Sequence, residues 1–250
     1  MNRRTLLAFL ASLFAPPVFA QKTVNEAGTV DLVEGAVTVQ RADKSRYTPK
    51  VGDTLNEGDG ITTGKDSEIH LKMVDGGLVA VRPDTKMRIA QYQATGEATD
   101  RSTLGLLEGG MRVVSGWIAS VNPKGYQIRT SIATIGIRGT DHETQVRLKD
   151  DGEDGAGIYD RVFAGGTFIK SKDGRVDVTP NRVGFFGSKK GAKPMLIDRV
   201  PRFYRGTRNE NRIEGLHGRL QGQLPKLREE RRARLKEAAE KKGKRHPKRD

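Results

Sequence analysis

Residues able to carry out chemistry are sparse in this chain. Asp141-His142-Glu143 sets two carboxylates beside an imidazole, the residue types used in general acid–base work. In a strand, however, Asp141 and Glu143 share one face while His142 points to the other. The triplet therefore reads as structural or surface-facing. A hydrolase acting on an envelope polymer would rest on these three residues alone. Asp150-Asp151-Gly152-Glu153-Asp154-Gly155 offers carboxylate oxygens for calcium, but it departs from EF-hand ligand spacing and reads as a solvated hairpin loop. No Ser has Lys three residues on, and no Gly-x-Ser-x-Gly elbow occurs. Gly64-Lys65 resembles the end of a phosphate loop, but Asp59 stands where the earlier Gly is needed and Asp66 follows. The four His residues lack metal-ligand spacing. Cysteine is absent, which excludes disulfides, Cys-ligated metals and Cys nucleophiles. The expectation is a protein without catalytic residues, cofactor or metal.

The stronger signal is charge. The formal net charge is +14 over 250 residues. Residues 188–250 hold 21 Lys/Arg against 8 Asp/Glu, whereas residues 21–187 hold 22 against 23. A near-neutral body therefore carries a basic tail. The candidate anion- or partner-binding residues are Arg228, Arg231, Arg232, Arg234, Lys236, Lys241, Lys242, Lys244 and Arg245. No aromatic residues interleave with them for base stacking, so nucleic acid is not the expected partner. Anionic lipid, lipopolysaccharide or an acidic protein face suits the run better. A solvated tail without a dedicated partner is the plain alternative.

Elements to position these residues follow from periodicity. Ile69, Leu71 and Met73 alternate with Glu68, His70 and Lys72, and Met87 and Ile89 repeat the pattern. Further short strands fit Leu104–Leu107, Met111–Val114, Tyr126–Thr130, His142–Leu148, Thr167–Ser171 and Val176–Val178, bounded by Gly, Pro, Asn or Asp. The fold class expected is mainly β: one short-stranded roll or sandwich, with a solenoid-like stack left open, followed by a basic C-terminal helical tail. A local pattern recurs as Val33-Glu34-Gly35, Leu107-Glu108-Gly109-Gly110 and Phe163-Ala164-Gly165-Gly166. Each glycine there permits a kink closed to other residues. Residues 188–207 read as a linker. Leu216, Leu220 and Leu224 recur every four residues among helix-weakening glycines. Pro225 can open a charged helix running to about Lys242, with Gly243 to Asp250 disordered.

The N-terminus reads as an export signal over residues 1–20. Arg3 and Arg4 precede an apolar run from Thr5 to Ala15, and Val18-Phe19-Ala20 fits a cleavage site. The run is short for a membrane span, which needs about 20 residues. The expected compartment is the periplasm, with an uncleaved anchor as the alternative and no later transmembrane segment.

Several ordered segments then align with one family. They are Val51-Gly52-Asp53-Thr54-Leu55, Gly58-Asp59-Gly60-Ile61-Thr62-Thr63-Gly64, Met73-Val74-Asp75-Gly76-Gly77, Val81-Arg82-Pro83-Asp84-Thr85, Leu107-Glu108-Gly109-Gly110 and Ile135-Gly136-Ile137-Arg138-Gly139-Thr140. Taken in order over about residues 28–185, they resemble the FecR-like periplasmic domain. The resemblance implies an all-β module, residues 21–187, that binds or senses and does not catalyse. Signalling members of that family carry a cytoplasmic anti-sigma segment and one membrane helix. Here an export signal stands in that place, and the basic tail of 208–250 replaces the small α/β region. Gly52, Asp53, Thr63, Gly64, Asp75, Gly76, Arg138, Gly139 and Thr140 are expected to define the fold. Arg138 is expected to pair with a carboxylate or cap carbonyls, and Thr140 to close a turn. The functional expectation is a periplasmic binding or scaffolding module with a tail that meets an anionic surface or acidic partner. The alternative is a signalling adaptor that recognises a membrane sensor or outer-membrane transducer.

Overall fold

The computed structural model describes residues 25–245, with side chains through residue 241. The expected export signal, residues 1–20, lies outside the described residues. So do the side chains of Lys242, Lys244 and Arg245.

Two sheets face each other across one core. The first runs β4 (Thr54–Asn56), β1 (Glu26–Glu34), β6 (Glu68–Met73), β7 (Leu78–Val81), β9 (Arg101–Val114), β12 (Asp141–Arg147), β13 (Gly157–Ala164), β16 (Val183–Gly187) and β17 (Met195–Ile197). The second runs β3 (Arg46–Tyr47), β2 (Val37–Gln40), β5 (Gly60–Thr63), β8 (Lys86–Gln93), β9 again, β10 (Tyr126–Arg129), β11 (Thr134–Ile137), β14 (Thr167–Ser171) and β15 (Gly174–Val178). Pairing is antiparallel throughout, except that β10 lies parallel to β9.

Strand β9 belongs to both sheets. Its first half pairs with β8 and its second half with β7 and β12. The two strands expected at 104–107 and 111–114 are thus one strand folded over a corner. Gly109 makes that corner at φ +78°. Gly35 (φ +72°) and Gly165 (φ +75°) carry the chain between sheets at the β1–β2 and β13–β14 junctions. The recurrent motif marks sheet crossings, because only glycine takes this conformation at little cost.

The inward residues form one cluster. Ile69, Leu71, Val79, Val81, Met111 and Val113 come from the first sheet, and Ile61, Ile89, Leu104, Leu106, Ile128 and Ile169 from the second. Each buried Ile or Leu is worth roughly 1.5–3 kcal/mol over exposure. From β10 onwards, strands leave in pairs to alternate sheets, so the architecture is a double-layered roll of stacked hairpins.

A short helix, α1 (Trp117–Val121), follows β9. Beyond β16 the chain departs from a simple linker. It adds β17 to the sheet edge, then runs as a cover through 201–215 into α2 (Leu216–Gln221) and α3 (Leu224–Arg245). Helix α3 extends past the expected Lys242 limit, so Gly243, Lys244 and Arg245 are helical. Among the described residues no helix is long and apolar enough to cross a membrane.

Candidate functional site: a self-covered charge ladder and a projecting basic helix

The outward positions of the first sheet carry alternating charges. Arg82, just beyond β7, donates from Nη2 to Glu143 Oε2 at 2.7 Å and from Nη1 to Glu68 Oε1 at 3.0 Å. Arg112 on β9 grips Asp141 on β12 through two bonds, Nε to Oδ1 at 2.8 Å and Nη2 to Oδ2 at 2.7 Å. The Arg112 guanidinium also lies 4.0 Å over the Phe163 ring. Both pairs are diagonal: the register sets Glu143 opposite Arg112 and Asp141 opposite Val114. The Arg112 guanidinium reaches the carboxylate two residues along the neighbouring strand, and Arg82 reaches Glu143 across β9. All five charged groups are at most 5% exposed.

Glu210 closes the ladder from above. Its carboxylate bridges Arg82 (3.0 Å) and Arg112. Thr207 and Asn209 donate to the two oxygens of Glu68 at 3.1 and 3.0 Å. Ile213 is fully buried against Leu78, Ala80 and Val114, with Leu216 and Leu220 beside it. Tyr204 donates to the Glu143 carbonyl at 3.2 Å. Burial alone would raise the Glu68 carboxyl, but bonds from His70, Asn209 and Thr207 outweigh it and hold the pKa at about 2. Burial disfavours the charge on Arg82, yet Glu143, Glu210 and Glu68 raise its pKa above the ordinary value.

The candidate acid–base triplet does not converge. Asp141 and Glu143 face outward and are consumed by Arg112 and Arg82. His142 points inward, with Nδ1 2.8 Å from Asp160 Oδ1, and Thr144 and Thr167 donate to the same carboxylate. His142 and Asp160 are fully buried between the sheets, and His142 Nε2 has no partner among the described residues. In the acidic loop, Asp150 accepts from the Ala156 amide, while Arg199 pairs with Asp154.

The family-motif residues serve turns. Gly52 (φ +92°) precedes Asp53, whose carboxylate accepts from the Lys50 amide at 2.8 Å. Thr63 donates to the Arg82 carbonyl at 2.6 Å and accepts from the Thr85 amide at 3.0 Å. The Gly64 amide donates to Ala36 O, and its own carbonyl accepts from Asp84. Asp75 is buried in the β6–β7 turn, where it accepts from the Gly77 amide at 3.2 Å and Oδ2 lacks a partner among the described residues. Burial lifts its pKa to about 6. Gly139 (φ +60°) abuts Gly165, where any Cβ would overlap the Gly139 carbonyl. Arg138 finds a carboxylate, Asp177 at 3.6 Å, but on the surface and not among apolar residues. Thr140 differs from expectation. Its amide donates to Ser115 Oγ, while its own hydroxyl is buried without a partner among the described residues.

The basic tail divides into two parts, which charge counting could not foresee. Leu224 and Leu227 seat the start of α3 on Gly76, whose hydrogen leaves the room they occupy. Arg228 donates to Gly96 O (2.6 Å), Arg231 to Ala94 O (3.2 Å), and Arg232 pairs with Glu97 (2.9 Å). Arg228 and Arg231 therefore hold the helix to the body, while Arg232 makes an exposed pair of little weight. From Arg232 to Lys241 every residue is exposed. Arg234 and Lys241 make (i, i+4) pairs with Glu230 and Glu237, and Lys236 makes no ion pair among the described residues. Such pairs and the Ala content support a helix that packs on nothing.

Comparisons with known proteins follow this geometry. The family described as FecR protein matches residues 59–156, the stretch from β5 through β12. Two crystal structures of a protein provisionally described as an anti-sigma factor, from Parabacteroides distasonis ATCC 8503, superpose with a TM-score of 0.43 at 13% identity, covering 55% of this chain and 58% of theirs. A structure described as a cell surface anchoring domain shares 29% identity over 25% of this chain and 82% of its own, with a TM-score of 0.24. No curated protein matches. Residues 59–156, which match the FecR family, include the Asp-Gly and Ile-Arg-Gly-Thr segments, whereas Val51–Leu55 lies outside the match.

Proposed function

We propose that the chain is a non-enzymatic binding module of the bacterial envelope, exported to the periplasm, whose basic helix meets an anionic surface or an acidic partner. One observation carries this reading. Helix α3 is clamped to the body through Leu224, Leu227, Arg228 and Arg231, and its later turns stand free with their cations in solvent. A charged helix without a packing face gains nothing for the fold by being held outward. Long-range attraction suits it. The test is binding of the mature full-length protein to phosphatidylglycerol vesicles over a salt series. The triple variant Arg234→Glu, Lys236→Glu, Lys241→Glu should lose most of the binding, and the parent's binding should fall with salt. Undiminished binding by the variant removes the helix from the mechanism.

A second reading, a signalling adaptor that recognises a membrane sensor or outer-membrane transducer, is favoured by the FecR match. A periplasmic pull-down that recovers one sensor with the parent and the triple variant alike would support it over the first.

A further inference from the structure

The outer face of the second sheet carries a row of cations that the fold does not need. Outward positions follow from the register. Arg129 on β10 stands opposite Thr134 on β11, Thr134 opposite Lys170 on β14, and Lys170 opposite Arg175 on β15. The row crosses four strands at right angles, with cations at three of four positions. Adjacent strands lie about 4.8 Å apart, so it spans about 14 Å. Like charges directly opposite, as in Lys170 and Arg175, destabilise a sheet. All three cations are exposed, and among the described residues neither Arg129 nor Lys170 has an ion-pair partner.

The next row shapes the surface beside it. Gly136 stands opposite Phe168, and a Cβ at Gly136 would overlap the ring. The ring therefore lies down on the sheet over the glycine. Arg175 stacks on it at 3.8 Å and Arg138 approaches at 5.8 Å. Asp177 fixes the same two guanidiniums, at 2.7 Å from Arg175 and 3.6 Å from Arg138. These arginines are pre-oriented, which lowers the ordering cost of binding. Thr134, Gly136, Arg138, Phe168, Lys170 and Arg175 line a trough of about 750 Å³ together with Lys124 and Lys172. Arg129 lies beside it, and Asp177 stands behind Arg138 and Arg175 without lining it. Neutral donors and acceptors, Gln127, Ser131 and Thr134, lie among the cations.

We infer that this trough binds an acidic polysaccharide, with carboxylates or phosphates set along the Lys170–Arg175 row and sugar hydroxyls on the neutral groups. The mixture of cations with amide and hydroxyl groups calls for a ligand that bears both anionic and hydroxyl groups. A flat headgroup plane cannot enter a concavity. This site is separate from α3 and stands whether or not the helix meets an anion.

The test uses the full-length mature chain and three soluble probes: a polymannuronate fragment, a neutral cello-oligosaccharide and a poly-glutamate of equal charge. Calorimetry should show the uronate binding most tightly and the neutral sugar not at all. The double variant Lys170→Gln, Arg175→Gln should lose about tenfold or more in affinity. Its circular dichroism and melting point should match the parent, since both side chains are exposed. The Arg234→Glu, Lys236→Glu, Lys241→Glu variant should keep most of its uronate affinity. Uronate binding lost in the helix variant and kept in the trough variant would overturn the inference. So would poly-glutamate binding as tightly as the uronate, or no uronate binding by the parent.

Discussion

The two sheets present opposite outer faces. On the first, Arg82 and Arg112 alternate with Glu68, Glu143 and Asp141, and the chain's own residues 201–215 seal them with Glu210. On the second, Arg129, Lys170 and Arg175 stand in one exposed row, where Arg175 alone has an acidic partner among the described residues, Asp177 in the next row. Both faces use the same device, polar residues at alternate strand positions. The difference lies in balance and cover. Where charge is neutralised and roofed, it is part of the fold. Where it is one-signed and open, it is available to something else.

The comparison breaks first at Arg82. Arg82→Ala leaves Glu68 and Glu143 buried without their cation, and should cost about 3–5 kcal/mol in urea unfolding. A loss within experimental error would mean that the first face is not structural.

A smaller effect of the opposite sign is expected at Asp75, beneath the seat of α3. Its folded pKa, about 6, lies above the ordinary 3.8. The folded state therefore binds the extra proton, and the group's contribution is fully present below about pH 4 and lost as pH rises through 6. Asp75→Asn should stabilise the protein by on the order of 2 kcal/mol at pH 8. The gain should vanish near pH 4, and a pH-independent difference between variant and parent would refute the assignment.

The smallest effect belongs to the second face. Lys170→Gln should change stability by about 0.5 kcal/mol or less, towards gain, because it relieves the repulsion with Arg175. A clear loss would make Lys170 a structural residue and erase the contrast.

Much of this was legible in the residues. The alternation of Met87 and Ile89 with Lys86 and Arg88 gives β8 and its inward face directly. Gly35, Gly109 and Gly165 announce kinks, but that each kink changes sheets depends on pairings far away in sequence. The facing of Asp141 and Glu143 away from His142 follows from strand geometry alone. Their partners do not, since Arg82 reaches Glu143 across 61 residues and Glu210 across 128. The basic tail was visible as charge, yet a charge run carries no sign of which arginines find backbone carbonyls, as Arg228 and Arg231 do. The Lys170–Arg175 row was invisible for the same reason. Its members are dispersed in sequence and meet only through the register of β10, β11, β14 and β15.

The contrast between a closed face and an open one is tested most directly by amide chemical-shift mapping of the protein titrated with a polymannuronate fragment. Shifts should concentrate at Thr134, Gly136, Phe168, Lys170 and Arg175, with Glu68, Arg82, Arg112 and Asn209 to Ile213 unmoved. Shifts confined to the roofed face, or to α3, would contradict it.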